Sequence, residues 1–299
     1  KTLRLHNFEL DVIHTSDKPS PFFVLGLDMA SALYKSYSVR DQTVLISGAS
    51  SGIGEACAWR FAEAGCRLIL VARRLERLQA LKDKLTQEYK VPIYVESLDV
   101  QSINAITSLP DRLPEDFKAV DILVNNAGLA LGSNAIHENL LEDVATMVNT
   151  NILSVLAFCR TFIPGMVKRN RGHVINMSSI AGHEAYVGGS GYCATKHAVD
   201  AMTKAARHDL NGTDIRVTSI SPGAVRTEFS VVRTKGDLAA EAAVYAGIDP
   251  LRAADIADNV LYAATRPPHV QVADIVVLAS YQSSARNLAR VKLPAAQEA

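Results

Sequence analysis

Tyr192 and Lys196 stand four residues apart in Gly191-Tyr192-Cys193-Ala194-Thr195-Lys196. A helix beginning near Ser190 would carry both on one face, with an ammonium beside a phenol. A tyrosine ionises near pH ~10, and bringing it to about 7 takes roughly 4 kcal/mol of differential interaction. The spacing therefore predicts a proton donor whose phenol is made more acidic by its neighbour. Upstream, Ser179 in Ser178-Ser179-Ile180-Ala181-Gly182 offers a hydroxyl to hold a carbonyl or alcohol oxygen. Tyr-x-x-x-Lys alone is more often a surface pair on a helix, so its meaning depends on its company.

A second chemical stretch, Ser47-Gly48-Ala49-Ser50-Ser51-Gly52-Ile53-Gly54, follows the apolar run Thr43-Val44-Leu45-Ile46. Glycines let the backbone turn sharply and approach a pyrophosphate, and the next helix aims its N-terminal amides at the same anion. A glycine pattern alone is weak, but between a strand and a helix it reads as a dinucleotide cradle. Proteins that bind NAD place Asp or Glu at the end of the second strand for the ribose 2′-hydroxyl. Here that place reads Val71-Ala72-Arg73-Arg74, with two guanidiniums and no acid. Guanidinium suits a phosphate, which points to NADP(H), with Arg73 the principal contact and Arg74 the second. The bland alternative is that both arginines cap a solvated helix.

These groups need a scaffold to bring them together. Short apolar runs predict strands at 43–46, 67–71, 93–95, 120–124, 174–177, 215–220 and 275–278. Helical patterns fall between them at 55–64, along a stripe of Leu75, Leu78, Leu81 and Leu85, over about 140–168 with an interruption near Pro164, and at 192–210 and 254–264. Seven strands separated by helices argue for an α/β domain over 41–285, with a doubly wound parallel sheet and helices on both faces. Right-handed crossovers then gather the loops at the carboxyl ends of the strands into one ligand-binding rim.

At 299 residues and 48 % apolar, the chain can bury one large core. A formal net charge of zero gives no reason to propose nucleic acid or an anionic membrane as partner. No apolar run reaches the ~20 residues of a membrane span. Cys57, Cys66, Cys159 and Cys193 show no CxxC pair and no metal spacing, so no metal is expected. They read as reduced thiols of a cytoplasmic protein, Cys193 being a packing residue. Residues 1–40 form an arm without assigned chemistry, in which Met29 is a candidate natural start. Residues 286–299 are expected to be a tail.

Together these motifs resemble the short-chain dehydrogenase/reductase family over about 43–283. The phosphate loop matches TGxxxGxG with Ser47 in place of threonine, and Asn125-Asn126-Ala127-Gly128 matches NNAG. Leu98-Asp99-Val100 matches the adenine-contacting position, and Pro222-Gly223 the motif after the sixth strand. The resemblance implies a single Rossmann-like domain. It assigns cofactor contacts to Gly48, Ser50, Ser51, Gly52, Ile53, Gly54, Asp99, Val100, Asn126, Ala127, Gly128, Pro222, Gly223, Val225 and Thr227. Ser179 lies thirteen residues before Tyr192, as the family's catalytic serine does, which selects it over Ser178. Asn151 fits the family's catalytic asparagine better than Asn149, and is expected to hold a water that extends the proton path from Lys196. The resemblance also implies a homotetramer.

The implied reaction is hydride transfer between NADP(H) and a carbonyl or alcohol, with Ser179 polarising the oxygen and Tyr192 moving the proton. Lys196 would anchor the nicotinamide ribose and acidify Tyr192. The segment from Gly223 through Gly236, with Pro267-Pro268-His269-Val270, looks like the branch acting on short 3-hydroxy acids such as serine and allo-threonine. An acidic substrate needs a cation near the lid at 226–250, and Arg226 or Arg233 could supply it. Two alternatives stand beside this reading, a carbonyl reductase for a bulkier ketone and a non-catalytic NADP(H)-sensing protein.

Overall fold

A computed structural model describes residues 37–290. The candidate start at Met29, the arm before Tyr37 and the tail after Arg290 lie outside the described residues. Seven strands form one all-parallel sheet in the order β3-β2-β1-β4-β5-β6-β7. They are β1 (Thr43–Ser47), β2 (Arg67–Ala72), β3 (Ile93–Ser97), β4 (Val120–Asn125), β5 (Gly172–Met177), β6 (Ile215–Pro222) and β7 (Asp274–Val277). Successive residues of a strand face opposite sides. Ile46, Leu68, Leu70 and Val124 share one core with Phe61 and Val260, while Leu45, Ile69 and Leu123 share another with Phe158 and Phe162. Both faces are covered, which is why β1 and β2 read as continuous apolar runs.

The helices are α1 (Gly52–Glu63), α2 (Leu75–Tyr89), α3 (Ile103–Thr107), α4 (Leu109–Arg112), α5 (Leu141–Val148), α6 (Ser154–Arg169), α7 (Ser190–Asp209), α8 (Phe229–Arg233), α9 (Leu238–Tyr245) and α10 (Ala253–Ala264). In α2, Leu78, Leu81 and Leu85 are buried, whereas Leu75 opens the helix exposed. The single helix expected over 140–168 is instead α5 and α6 joined by a π-turn at Asn149–Leu153, which buries Thr150 and Asn151. Pro164 does not interrupt α6. It lies on the exposed face, where the carbonyl one turn earlier, which proline cannot bond, is open to solvent.

By length and hydropathy the continuous stretch Leu141–Arg169 could cross a membrane. A search for one unbroken apolar run overlooks it because polar residues are interspersed. Its Ala157, Phe158, Phe162 and Met166 pack into the core beside the sheet. A buried amide chain fastens α7 to the strands: Asn125 Nδ2 donates to Asn176 Oδ1 at 2.8 Å, and Asn176 Nδ2 to Thr203 Oγ1 at 2.9 Å. The body extends past the expected 41–285. Tyr37 N–H donates to Thr265 O at 3.0 Å, and Ala289 N–H to Tyr281 O at 2.8 Å.

Candidate active site

The strand order reverses between β1 and β4, and the loops leaving these two strands flank a cavity of about 750 Å³. Gly48, Ser50, Ser51, Gly52 and Ile53 reach its wall from the first loop, and Asn126, Ala127 and Gly128 from the second. Arg73 and Arg74 close one end with Asp99 and Val100, while Pro222, Gly223, Val225 and Thr227 come from the loop after β6. Ser47, where the family has threonine, joins the two loops. Its Oγ accepts from the amides of Asn126 and Ala127 at 3.1 and 3.0 Å.

The first loop fits a pyrophosphate. Gly48 and Gly52 hold φ values of +69° and +59°, a region that side chains disfavour. Gly54 lies just behind the wall, where a Cβ would stand 2.4 Å from Gly48 O and 2.5 Å from Asn126 Nδ2. Ser51, the N-cap of α1, makes no side-chain cap, so the first amides of that helix are left for a ligand.

The two arginines differ in their protein contacts. Arg74 Nε and Nη2 donate to Ser50 Oγ at 3.1 and 3.0 Å, and Nη2 also to Ser51 Oγ at 2.7 Å. Its Nη1 pairs with Glu228 at 2.8 Å, and Arg77 pairs with the same carboxylate at 2.6 Å. Arg77 and Arg74 hold the Glu228 carboxyl down at about 2. Arg73 is exposed and makes no side-chain hydrogen bond to the described residues.

Ser179, Tyr192 and Lys196 meet on the wall of the same cavity. Tyr192 is 8 % exposed and packs edge-on against Phe229, ring centroids 5.7 Å apart. Lys196 Nζ lies 5.9 Å from the Tyr192 ring centroid and donates to Met177 O at 2.7 Å. The protein around the phenol makes it less acidic than a free tyrosine: burial pushes the Tyr192 pKa up, and the Ser179 hydroxyl pulls it partly back. Burial also brings the Lys196 amine down to about 8. The site therefore holds a protonated phenol at neutral pH.

Asn151 is buried behind the wall. Its Nδ2 donates to Leu129 O at 2.8 Å and Thr195 Oγ1 at 3.0 Å, and its Oδ1 accepts from Leu129 N–H at 2.9 Å. Both amide protons have protein acceptors, so the side chain braces the β4 loop against α7. Asn149 sits at the start of the π-turn. Ser178 is buried, its hydroxyl 3.5 Å from Lys196 O.

Of the two candidate cations, Arg226 stacks over Tyr245 at 5.5 Å and is not on the wall. Arg233 is on it, 5.8 Å from the Tyr192 ring and 5.6 Å from that of Tyr186, with Nη1 donating to Tyr186 Oη at 3.2 Å. Its Nη2 is buried without a hydrogen-bond partner among the described residues. Tyr186, Phe229 and Arg286, which lies 4.4 Å over Tyr186, were not anticipated. Each is a lone residue in a loop or short helix, with no spacing to announce it.

A doubly wound sheet with a pyrophosphate cradle at its switch point and a serine-tyrosine-lysine cluster beside it defines a dinucleotide-dependent oxidoreductase. Residues 42–237 match the family model described as short chain dehydrogenase. The chain is 41 % identical over 250 residues to the NADP-dependent 3-hydroxy acid dehydrogenase of Schizosaccharomyces pombe, covering 83 % of this chain and 96 % of that one. It is 43 % identical over 241 residues to sulfoacetaldehyde reductase 2 of Chromohalobacter salexigens, at 80 % and 95 % coverage. The closed form of a serine dehydrogenase complexed with NADP+ superimposes with a TM-score of 0.79 at 42 % identity, covering 82 % and 97 %. The chain belongs to the short-chain dehydrogenase/reductase family.

Proposed function

We propose that the chain uses NADP(H) to interconvert short, serine-like 3-hydroxy acids and the corresponding carbonyl compounds. The observation that carries the substrate class is Arg233 on the cavity wall: its guanidinium carbon lies 5.8 Å from the Tyr192 ring, and its buried Nη2 has no hydrogen-bond partner among the described residues. A buried guanidinium N–H without an acceptor is costly, and a carboxylate held there would stand within one small molecule of the phenol. The names of the Schizosaccharomyces pombe relative and of the serine dehydrogenase structure support the same class. The sulfoacetaldehyde reductase relative also acts on a small anion.

Bound along the rim, NADPH supplies the hydride that a carbonyl carbon accepts. The Ser179 and Tyr192 hydroxyls hold the carbonyl oxygen, and Tyr192 gives its proton as negative charge develops there. Burial keeps that proton on the phenol until it is needed. In the oxidation direction the phenolate must form, and the Lys196 ammonium is the charge available to offset its desolvation.

The test follows NADP(H) absorbance with serine, 3-hydroxybutyrate and an aromatic ketone. Turnover of the hydroxy acids supports the reading. Turnover of the ketone alone favours a carbonyl reductase, and none at all with NADPH bound favours a sensor. In Arg233→Ala, kcat/KM for serine is expected to fall about 100-fold, as a lost charge-assisted pair of ~3 kcal/mol predicts. A neutral ketone would lose no more than a few-fold, and parallel losses would end the carboxylate role.

The reading includes a cytoplasmic homotetramer without a nucleic-acid or membrane partner. Leu153, Leu156 and Val167 give the α5–α6 stretch an exposed apolar surface, and the four cysteines are free. Light scattering is expected to return four times the chain mass, and a monomer's mass would reject the assembly.

A further inference from the structure

Asp200 follows Lys196 by one turn of α7, is 3 % exposed, and has no part in the chemistry above. Its Oδ1 accepts from the Ser219 hydroxyl at 2.9 Å. Among the described residues its Oδ2 has no hydrogen-bond partner; the nearest basic group is His183 Nε2, itself 2.9 Å from Ser221 Oγ, at 3.5 Å. Buried carboxylates persist where a positive charge or several donors offset their desolvation, and one hydroxyl is a thin complement. Lys196 is the buried amine one turn away on the same face of the helix, and among the described residues Met177 O is its one hydrogen-bond acceptor. Space is tight around the carboxylate: a Cβ on Gly182 would stand 2.4 Å from Asp200 Oδ2 and 2.9 Å from the backbone carbonyl of Lys196. Among the described residues, the other titratable groups facing the pair are Tyr192 on α7 and His183 from the turn before it. β6 contributes only the hydroxyls of Ser219 and Ser221.

We propose that Asp200 is a positioning residue for the oxidoreductase reaction, the counter-charge that keeps Lys196 an ammonium inside the site while Ser219 and His183 fix the carboxylate. The inference rests on the proposed function for its purpose, though not for its test. Burial lowers the Lys196 pKa and Asp200 raises it, leaving the amine at about 8. Without that carboxylate Lys196 would lose its proton at a lower pH, and Tyr192 would lose the charge that supports its phenolate.

The experiment reads the amine directly. A brief pulse of acetic anhydride at a series of pH values, with peptide mass spectrometry, gives the titration of Lys196 without any substrate. In Asp200→Asn the midpoint is expected to fall by about one pH unit or more, and Asp200→Ser, which crowds Gly182 less, gives the same shift. The pH at which carbonyl reduction declines moves with it. A midpoint unmoved in either folded variant overturns the proposal. The wild-type curve decides by itself should neither variant fold: a midpoint near 8 supports a resident counter-charge, whereas one near ~6, as for a buried amine without a partner, overturns it. A shifted midpoint in a protein that turns over nothing in the substrate panel would reject the proposed function and leave the role of Asp200 standing.

Discussion

In Tyr192→Phe, kcat/KM for NADPH-dependent reduction falls by about 10²–10⁴-fold, while the NADPH dissociation constant changes by less than about threefold. The two numbers separate because the phenol's ring and its hydroxyl have different duties. The ring fills space against Phe229 at 5.7 Å and lies under the Arg233 guanidinium at 5.8 Å, contacts that phenylalanine keeps. The hydroxyl is the acid. Burial keeps it protonated at neutral pH. Ser179 cannot replace it, since a serine hydroxyl is a far weaker acid and here already leans toward Pro222 O at 3.4 Å. Single-turnover absorbance of NADPH, with fluorescence titration of binding, checks both halves. Turnover within about tenfold of the wild type would remove the mechanism.

The parts of this protein legible in its sequence are those where local chemistry and global architecture agree. Leu45 and Ile46 face opposite cores, so their strand must be apolar throughout, and Gly48 and Gly54 in the loop that follows stand where a Cβ would strike backbone. Such constraints leave a mark in residue type. The π-turn at Asn149–Leu153 leaves none, because one widened turn inside a helix leaves the helical pattern on either side unchanged. Helical spacing shows that an amine is near Tyr192, but the pKa of the phenol depends also on how much water the fold removes, and burial is the largest influence on it here. Spacing likewise could not choose between Arg226 and Arg233, which leave the lid segment toward different partners, Tyr245 and Tyr186. Asp200 was invisible because a carboxylate on a helix is ordinarily a solvated one.

Replacing both guanidiniums, as in Arg73→Glu combined with Arg74→Ala, is expected to weaken NADPH binding by at least about 100-fold, ~3 kcal/mol, and NADH binding by less than about threefold. Only the first cofactor carries a 2′-phosphate. Binding that phosphate by a side chain already ordered costs less than ordering one from solvent. Arg74 is ordered, with Ser50 and Ser51 hydroxyls holding it at 2.7 to 3.1 Å. Arg73 is not held by the described residues. Arg74→Ala alone should therefore cost more NADPH affinity than Arg73→Ala, the reverse of what position in the sequence suggests. Glu228 tempers the difference, because its carboxylate competes with the phosphate for Arg74 and keeps Arg77 as a second partner. Equilibrium titrations of the two single variants and the double variant with both nucleotides settle the order. A double variant that still prefers NADPH over NADH as strongly as the wild type would show that neither arginine reads the phosphate.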